Sequence, residues 1–453
     1  MKKNNISRRD FLKISGAGVA GLSLAACTNG ASVGQSASQP EGPEEMPVRT
    51  SGSGDKIGLL GYGCMRWPMI TDENGKRIID QDKVEEMVDY AIAHGVNYFD
   101  SAPMYLQGQS ENATGLALSK YPRDSYYVAT KLSSQNDPDP TYEKGVKMFQ
   151  DSLKYFRTDH IDYFLLHNLS NIEGFNRRFA DNGLLDYFLK EREAGHIRNL
   201  GFSFHGDREG FDELMTTHEK YHWDFVQIQM NYIDWTHAGE GNTNAEYLYA
   251  ELDKREIPIV VMEPLLGGAL SSVPRQIAAS LKERDPEASV ASWAFRFVGS
   301  HPRILTVLSG MTYIEHLQDN LKTFLHFKPL DEEEFKLLEE SAGIIKNFPL
   351  ISCTGCRYCM PCPYGIDIPG IFKHYNNAVN EGEIAESKEQ EEYKKLKKQY
   401  LTSYGKSIES VRQANHCIGC GKCLSKCPQH IRIPEQMQRI DRYVEALKQN
   451  KLA

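Results

Sequence analysis

The sequence predicts an α/β protein: an eight-stranded (β/α)8 TIM barrel followed by a small, mainly helical domain rich in cysteine. Three observations predict it. Eight short apolar runs alternate with amphipathic segments between residues 56 and 327, polar residues fall where several of those runs end, and eight of the ten cysteines lie between Cys353 and Cys427. A chain of 453 residues is also too long for one ordinary domain.

Composition narrows the function classes. The chain is 40% apolar and 25% charged, and it has no apolar run long enough to span a bilayer. A formal charge of −9, with no basic stripe interleaved with aromatics, argues against a nucleic-acid partner. The Lys-rich segment from Glu389 to Lys398 carries its own Glu residues and reads as a solvated face.

Residues 1–27 read as an address. Ser7-Arg8-Arg9-Asp10-Phe11-Leu12-Lys13 resembles the twin-arginine export motif, and Ile14 to Ala26 is a short apolar segment diluted by Gly and Ala. Leu24-Ala25-Ala26-Cys27 resembles a bacterial lipoprotein cleavage box, which implies a lipid anchor at Cys27 as the one membrane attachment. Residues 28–54, rich in Gly, Ser, Pro, Gln and Glu, are expected to form a flexible tether. The expected location is periplasmic, or on the outer face of the cell membrane.

The barrel is expected over residues 55–330. Its strand candidates are Ile57 to Tyr62, Val96 to Asp100, Tyr126 to Lys131, Ile161 to His167, Asn199 to Phe204, Phe225 to Met230, Ile257 to Met262 and Ile304 to Leu308. Helical patterns separate them, among them Asp82 to His94, Tyr142 to Phe156, Leu184 to Ala194, Phe211 to Tyr221, Asn244 to Arg255 and Val290 to Phe297. No G-x-G-x-x-G follows the first strand, which disfavours a doubly wound sheet built from the same units.

Catalytic groups of such barrels gather at the C-terminal ends of the strands. Asp100, Lys131 and His167 end the second, third and fourth candidates, and Tyr105 follows Asp100 after a loop that Pro103 keeps extended. Tyr62, Trp67 and Met104 are expected to wall an apolar pocket there, and Cys64 to lie near it.

With these four residues the chain resembles the aldo-keto reductase family over roughly residues 56–327. The resemblance implies hydride transfer from NAD(P) to a small-molecule carbonyl, or the reverse from an alcohol, with Tyr105 as proton donor. Lys131 is expected to favour the phenolate of Tyr105 by its charge, Asp100 to hold Lys131, and His167 to orient the substrate oxygen.

The same resemblance implies a cofactor set. Ser203 and Gln227 match the carboxamide contacts. The loop Ser309, Gly310 and Met311, with His316 and Asn320 on the following helix, matches a phosphate site at a helix N-terminus. Phe204 stands in place of the expected Asn beside Ser203. Glu263 stands where many members carry a stacking aromatic, and Gly310, Met311 and His316 where many carry 2′-phosphate contacts.

Residues 331–453 are expected to form a helical, ferredoxin-like iron-sulfur domain, with a helix from Asp331 to Ala342 leading away from the barrel. Cys417-x2-Cys420-x2-Cys423-x3-Cys427-Pro428 has the bacterial ferredoxin spacing, and Cys353-x2-Cys356-x2-Cys359-x2-Cys362-Pro363 departs from it by one residue. Zinc also takes four cysteines, but runs that end in Cys-Pro favour two 4Fe-4S clusters. By resemblance to two-cluster ferredoxins, Cys353, Cys356, Cys359 and Cys427 hold one cluster, and Cys417, Cys420, Cys423 and Cys362 the other.

The sequence thus points to an exported oxidoreductase interconverting a carbonyl and an alcohol, its clusters passing electrons to or from a redox partner protein. The altered nicotinamide positions leave one alternative, a non-catalytic barrel that serves as an electron-transfer or binding subunit.

Overall fold

A computed structural model describes residues 45–133 and 140–452. The expected signal over 1–27, Cys27 included, and the tether as far as residue 44 lie outside the described residues. Eight parallel strands close a barrel: Leu60–Gly63, Tyr98–Asp100, Tyr127–Leu132, Ile161–Leu169, Ile197–Phe204, Phe225–Gln229, Ile259–Met262 and Ile304–Ser309. Each strand pairs with the next in sequence, and the eighth closes on the first with Val307 opposite Leu60.

The two-residue period of a strand sorts the side chains. Tyr98, Ala129, Tyr163 and Leu165 join Phe225 and Val260 in one buried cluster inside the barrel. Their neighbours Phe99, Val128, Phe164 and Leu166 belong to the larger outer core, packed against the helices. Two residues beyond Tyr98, Ala129 and Leu165 come Asp100, Lys131 and His167, so the alternation that fills the barrel also delivers these three to its open end.

Several elements depart from expectation. Val48–Thr50 forms a strand antiparallel to Lys56–Gly58, so the tether ends earlier than residue 54. Arg49 anchors this hairpin through the Gly299 carbonyl at 3.0 Å and the Pro302 carbonyl at 3.1 Å. The expected first strand is accordingly two, divided at Leu59. The expected helix from Phe211 to Tyr221 is also two, Arg208–Thr216 and His218–Tyr221.

Helix Glu332–Ile345 begins at a capping box between Asp331 and Glu334. It packs on the barrel and does not lead away from it. Leu338, Ala342 and Ile345 share one face and join the barrel's outer core. Arg296 meets the buried Glu334 carboxylate at 2.5 Å.

The remaining residues build a second core from helices Ile368–Asn380, Tyr393–Ser407 and Ile433–Gln449, with Ile371, Phe372, Tyr400, Met437 and Ile440 fully buried. Among the described residues this part contains no strand. It belongs with the barrel to one compact unit, Glu44–Ala453.

Candidate active site at the barrel mouth

The Lys131 ammonium donates to both oxygens of Asp100, at 2.6 and 2.7 Å, and to the Ser101 carbonyl at 2.8 Å. Both side chains are buried, so the charges face one another and not water. Tyr105 arrives on the short helical turn that follows the second strand, where Leu106 and Gln107 adopt left-handed backbone angles. Its ring centroid lies 5.1 Å from the Lys131 nitrogen, and it meets the His167 ring edge to face at 6.4 Å. Asp100, Tyr105, Lys131 and His167 therefore come together, each at most 8% exposed.

Burial decides the protonation states. It pushes the Tyr105 phenol well above its ordinary range, with Tyr358, Asp100 and Glu263 adding to the rise. Asp100 takes two hydrogen bonds from Lys131, and burial leaves Tyr105 resting as a neutral phenol. His167 is held well below its ordinary value by burial, with Lys131 and Arg178 adding to the effect, and stays neutral. Asp100 is raised by burial and pulled back by Lys131.

Three further mouth residues are packed, not pocket-lining. Tyr62 donates to the Met311 carbonyl at 3.0 Å, and Trp67 to the Thr114 hydroxyl at 2.9 Å; both are buried. Cys64 is fully buried, with a thiol that burial pushes up, so it behaves as an inert core residue. Met104 is half-buried.

The dinucleotide positions divide. The Gln227 side-chain oxygen is buried without a hydrogen-bond partner and is free for an amide. The Ser203 hydroxyl accepts from the Asn168 backbone at 2.8 Å, and Asn320 donates to Ser309 at 2.9 Å. Met311 is buried, Gly310 lies beneath Arg66, and His316 is exposed. At the end of the seventh strand, Gly267 lies so close to Thr354 that an added Cβ would stand 2.2 Å from the Thr354 backbone. Beside it, Glu263, at φ +57°, takes the Gly267 N–H at 2.5 Å. The unpartnered Gln227 oxygen thus suits a dinucleotide's carboxamide, while Thr354 closes against Gly267 on the loop after the seventh strand.

What covers the mouth is the first cysteine run. Arg66 donates to the Thr354 carbonyl at 2.6 Å, and Gln229 and Gln429 exchange hydrogen bonds at 2.8 and 3.3 Å across the sixth strand's end. Cys353, Cys356, Cys359 and Cys427 line a common cavity. Their thiols are raised by burial, Cys353 to about 11 and Cys356 and Cys359 to about 12. The thiols that act on Cys423 are Cys417, Cys420 and Cys362. Among the described residues no three ligating side chains converge as a single ion requires. Thiols set around a cavity suit a cube of iron and sulfur, and the donor sets fit 4Fe-4S clusters.

Tyr358 escaped the sequence reading. It sits between Cys356 and Cys359, its backbone N–H is directed at the Cys356 sulfur, and its phenol reaches that of Tyr105 side chain to side chain. The available signal was an aromatic residue inside a metal-binding run, where packing alone does not ask for one.

Comparison with known proteins agrees with this architecture. The profile of the aldo/keto reductase family matches residues 59–342, that of a 4Fe-4S dicluster domain residues 352–432, and that of a twin-arginine translocation signal residues 5–25. The chain is similar to the uncharacterized oxidoreductase YqkF of Bacillus subtilis, 24% identical over 65% of this chain and 96% of that protein. It is also similar to L-galactose dehydrogenase of Arabidopsis thaliana, 20% identical over 67% of this chain and 96% of that one. Among solved structures, an aldo-keto reductase of Bacillus halodurans in its holo form aligns with a TM-score of 0.53 at 23% identity, over 66% of this chain and 96% of that one. One from Klebsiella pneumoniae in complex with NADPH aligns with a TM-score of 0.52 at 20% identity, over 65% of this chain and 94% of that one. The chain belongs to the aldo/keto reductase family, with a 4Fe-4S dicluster domain after its barrel and a twin-arginine signal before it.

Proposed function

We propose that this protein is an exported iron-sulfur oxidoreductase that interconverts a small-molecule carbonyl and an alcohol, with Tyr105 as proton donor. On this reading residues 55–330 carry the chemistry and residues 331–453 the clusters, one on Cys353, Cys356, Cys359 and Cys427 and the other on Cys417, Cys420, Cys423 and Cys362. The single observation that carries it is the seating of the first cysteine run directly over the Asp100, Tyr105, Lys131 and His167 set.

Reducing a carbonyl to an alcohol takes two electrons and two protons, of which a nicotinamide dinucleotide, when bound, would deliver both electrons and one proton to the carbon as a hydride. The 4Fe-4S clusters, when bound, would pass single electrons between the barrel site and a partner. Tyr105, kept neutral by burial, gives the proton to the oxygen, and Lys131 stabilises the phenolate that results. Neutral His167 holds the substrate oxygen by a hydrogen bond, and Asp100 fixes Lys131. A redox partner protein outside the chain refills or drains the clusters. The exposed Cys420, beside Ile418 at 64% and Leu424 at 45% exposure, marks the second cysteine set as the end open to it. NADPH accompanies one solved relative, and the buried, unpartnered Gln227 oxygen supports a dinucleotide here. Cys27 is the site for a lipid anchor on the outer face of the membrane.

Anaerobically purified protein with both clusters should reduce carbonyl compounds when supplied with NADPH. Tyr105→Phe should abolish turnover while iron content and the thermal midpoint stay unchanged; retained turnover overturns the assignment. A second reading, a non-catalytic electron-transfer or binding subunit, is favoured by the same capping of Tyr105 by Tyr358. It is supported if the clusters cycle while no carbonyl is consumed.

A further inference from the structure

Exposed apolar side chains are not spread evenly over this molecule. Ten large ones stand out among the described residues, and four of them, Tyr364, Val411, Ile418 and Leu424, lie on the turns around the second cysteine set. Val411 is the most exposed of the ten at 67%, and Ile418 follows it at 64%. Short hydrogen bonds draw these turns together. The Gly365 N–H donates to the Cys362 carbonyl at 2.9 Å and the Asp367 N–H to the Arg412 carbonyl at 3.1 Å, which ties the turn of Tyr364 to that of Val411. The His416 ring donates to the Ser410 carbonyl at 3.0 Å and so ties Val411 to the loop of Ile418. Within that loop the Leu424 N–H donates to the Gly421 carbonyl at 2.9 Å. Single exposed apolar residues are ordinary, but four gathered on one set of turns mark a surface that another molecule covers.

Charge tells what kind of molecule that is. From Ser410 to Pro434 the sequence carries Arg412, Lys422, Lys426 and Arg432 and no carboxylate, in a chain whose formal charge is −9. Arg432 is spent on Glu240 at 3.3 Å, and Asp367, at the edge of the stretch, is spent on capping the helix that follows it. Lys422 and Lys426 are exposed in the same loop as Ile418 and Leu424, and among the described residues neither meets a carboxylate. We propose that Tyr364, Val411, Ile418 and Leu424, with Lys422 and Lys426, form the docking face for a small acidic electron-carrier protein. Its carboxylates meet the two lysines and steer the encounter, and its apolar surface meets the four exposed side chains. Cys420, exposed in that loop, places a ligand of the second cluster at the surface the carrier covers. One electron crosses per encounter: the carrier is oxidised as the cluster is reduced, or the reverse, and no bond forms or breaks. The inference rests on the reading that the second cysteine set exchanges electrons with a partner, and it adds what that partner is.

The test uses the full chain with both clusters in place and a plant-type 2Fe-2S ferredoxin, an acidic one-electron carrier, as probe. In stopped flow, the second-order rate at which reduced ferredoxin reduces the clusters should fall about tenfold or more from low salt to about 0.5 M salt. Lys422→Gln combined with Lys426→Gln should slow it about tenfold at low salt and make no difference at high salt. Ile418→Ser combined with Leu424→Ser should slow it at both. Gallium-substituted ferredoxin, which takes no electron, should bind the unaltered protein in calorimetry and the lysine variant more weakly by a similar factor. A 4Fe-4S cluster on four thiolates is itself negative, so the lysines could instead serve the cluster; cluster midpoint potentials, followed by electron paramagnetic resonance, should therefore be the same in variant and unaltered protein. A rate indifferent to salt, a lysine variant that reacts and binds as the unaltered protein does, or a change confined to the midpoint potential overturns the proposal. Dithionite keeps the two ideas apart. Clusters that it never reduces end the electron-passing part of the proposed function, while gallium-substituted ferredoxin still reads the docking face; clusters that it reduces and ferredoxin does not end the docking face alone.

Discussion

Arg66 donates to the Thr354 carbonyl across 2.6 Å, and this bond joins the loop after the first barrel strand to the loop between Cys353 and Cys356. The two residues are far apart in the chain, and their contact brings the first cysteine run over Tyr105. The same seat is shaped by Gly267, where φ is +67° and the Thr354 backbone leaves no room for a Cβ.

Gly267→Ala should therefore unseat the run. A left-handed backbone angle alone costs a non-glycine residue about 1–3 kcal/mol, and the clash with Thr354 adds to it. The neighbouring Gly268→Ala is the control, since Gly268 has φ +96° but open space around it. Urea melts should show the larger loss in Gly267→Ala, with faster proteolysis of the chain between the two cores.

Removing Lys131 leaves the Asp100 carboxylate buried without its partner. Lys131→Met should cost about 3–5 kcal/mol near pH 8. Burial already raises Asp100, and loss of Lys131 raises it further, so the folded protein binds a proton more readily than the unfolded chain. The loss should shrink as pH falls toward 5. Chemical denaturation at both pH values checks it.

Glu111 is a buried acid that accepts from Thr130 at 2.5 Å and from Ser152 at 2.7 Å, and burial pushes it up to about 7 from an ordinary 4.5. A carboxyl raised in the fold stabilises fully below the unfolded value and loses that contribution as pH rises through the folded one. Between pH 4.5 and 7 the unaltered protein should lose stability relative to Glu111→Gln, on the order of 3 kcal/mol across the window. Denaturant midpoints of the two proteins, plotted against pH, should diverge in that direction.

The crossed assignment of cysteines has its own signature. Cys427→Ser and Cys356→Ser should remove the same cluster, and Cys362→Ser and Cys420→Ser the other, each halving the iron from about eight per chain to about four. Electron paramagnetic resonance of the reduced variants should sort them into these two pairs. If Cys427→Ser gives the same spectrum as Cys420→Ser, the pairing is uncrossed.

The sequence by itself determined the barrel, the four residues at its mouth and the cysteine runs, because each is written in a local period. A strand alternates every two residues, so the apolar filling at Tyr98, Ala129 and Leu165 carries forward to Asp100, Lys131 and His167. Cluster ligands lie at short fixed spacings for a similar reason, since one short loop must wrap one face of a cube. Tertiary structure alone decided what covers the mouth. Arg66 with Thr354, Gln229 with Gln429, and Tyr105 with Tyr358 are pairs that no spacing announces, because docking two cores matches surfaces far apart in the chain. The placement of Glu332–Ile345 on the barrel was hidden likewise: an amphipathic helix shows that it has an apolar face, not which core will bury it. The charge on Lys131 was legible, but its neutralisation by Asp100 and the burial that keeps Tyr105 protonated depend on distances and exclusion of water that only the closed barrel sets.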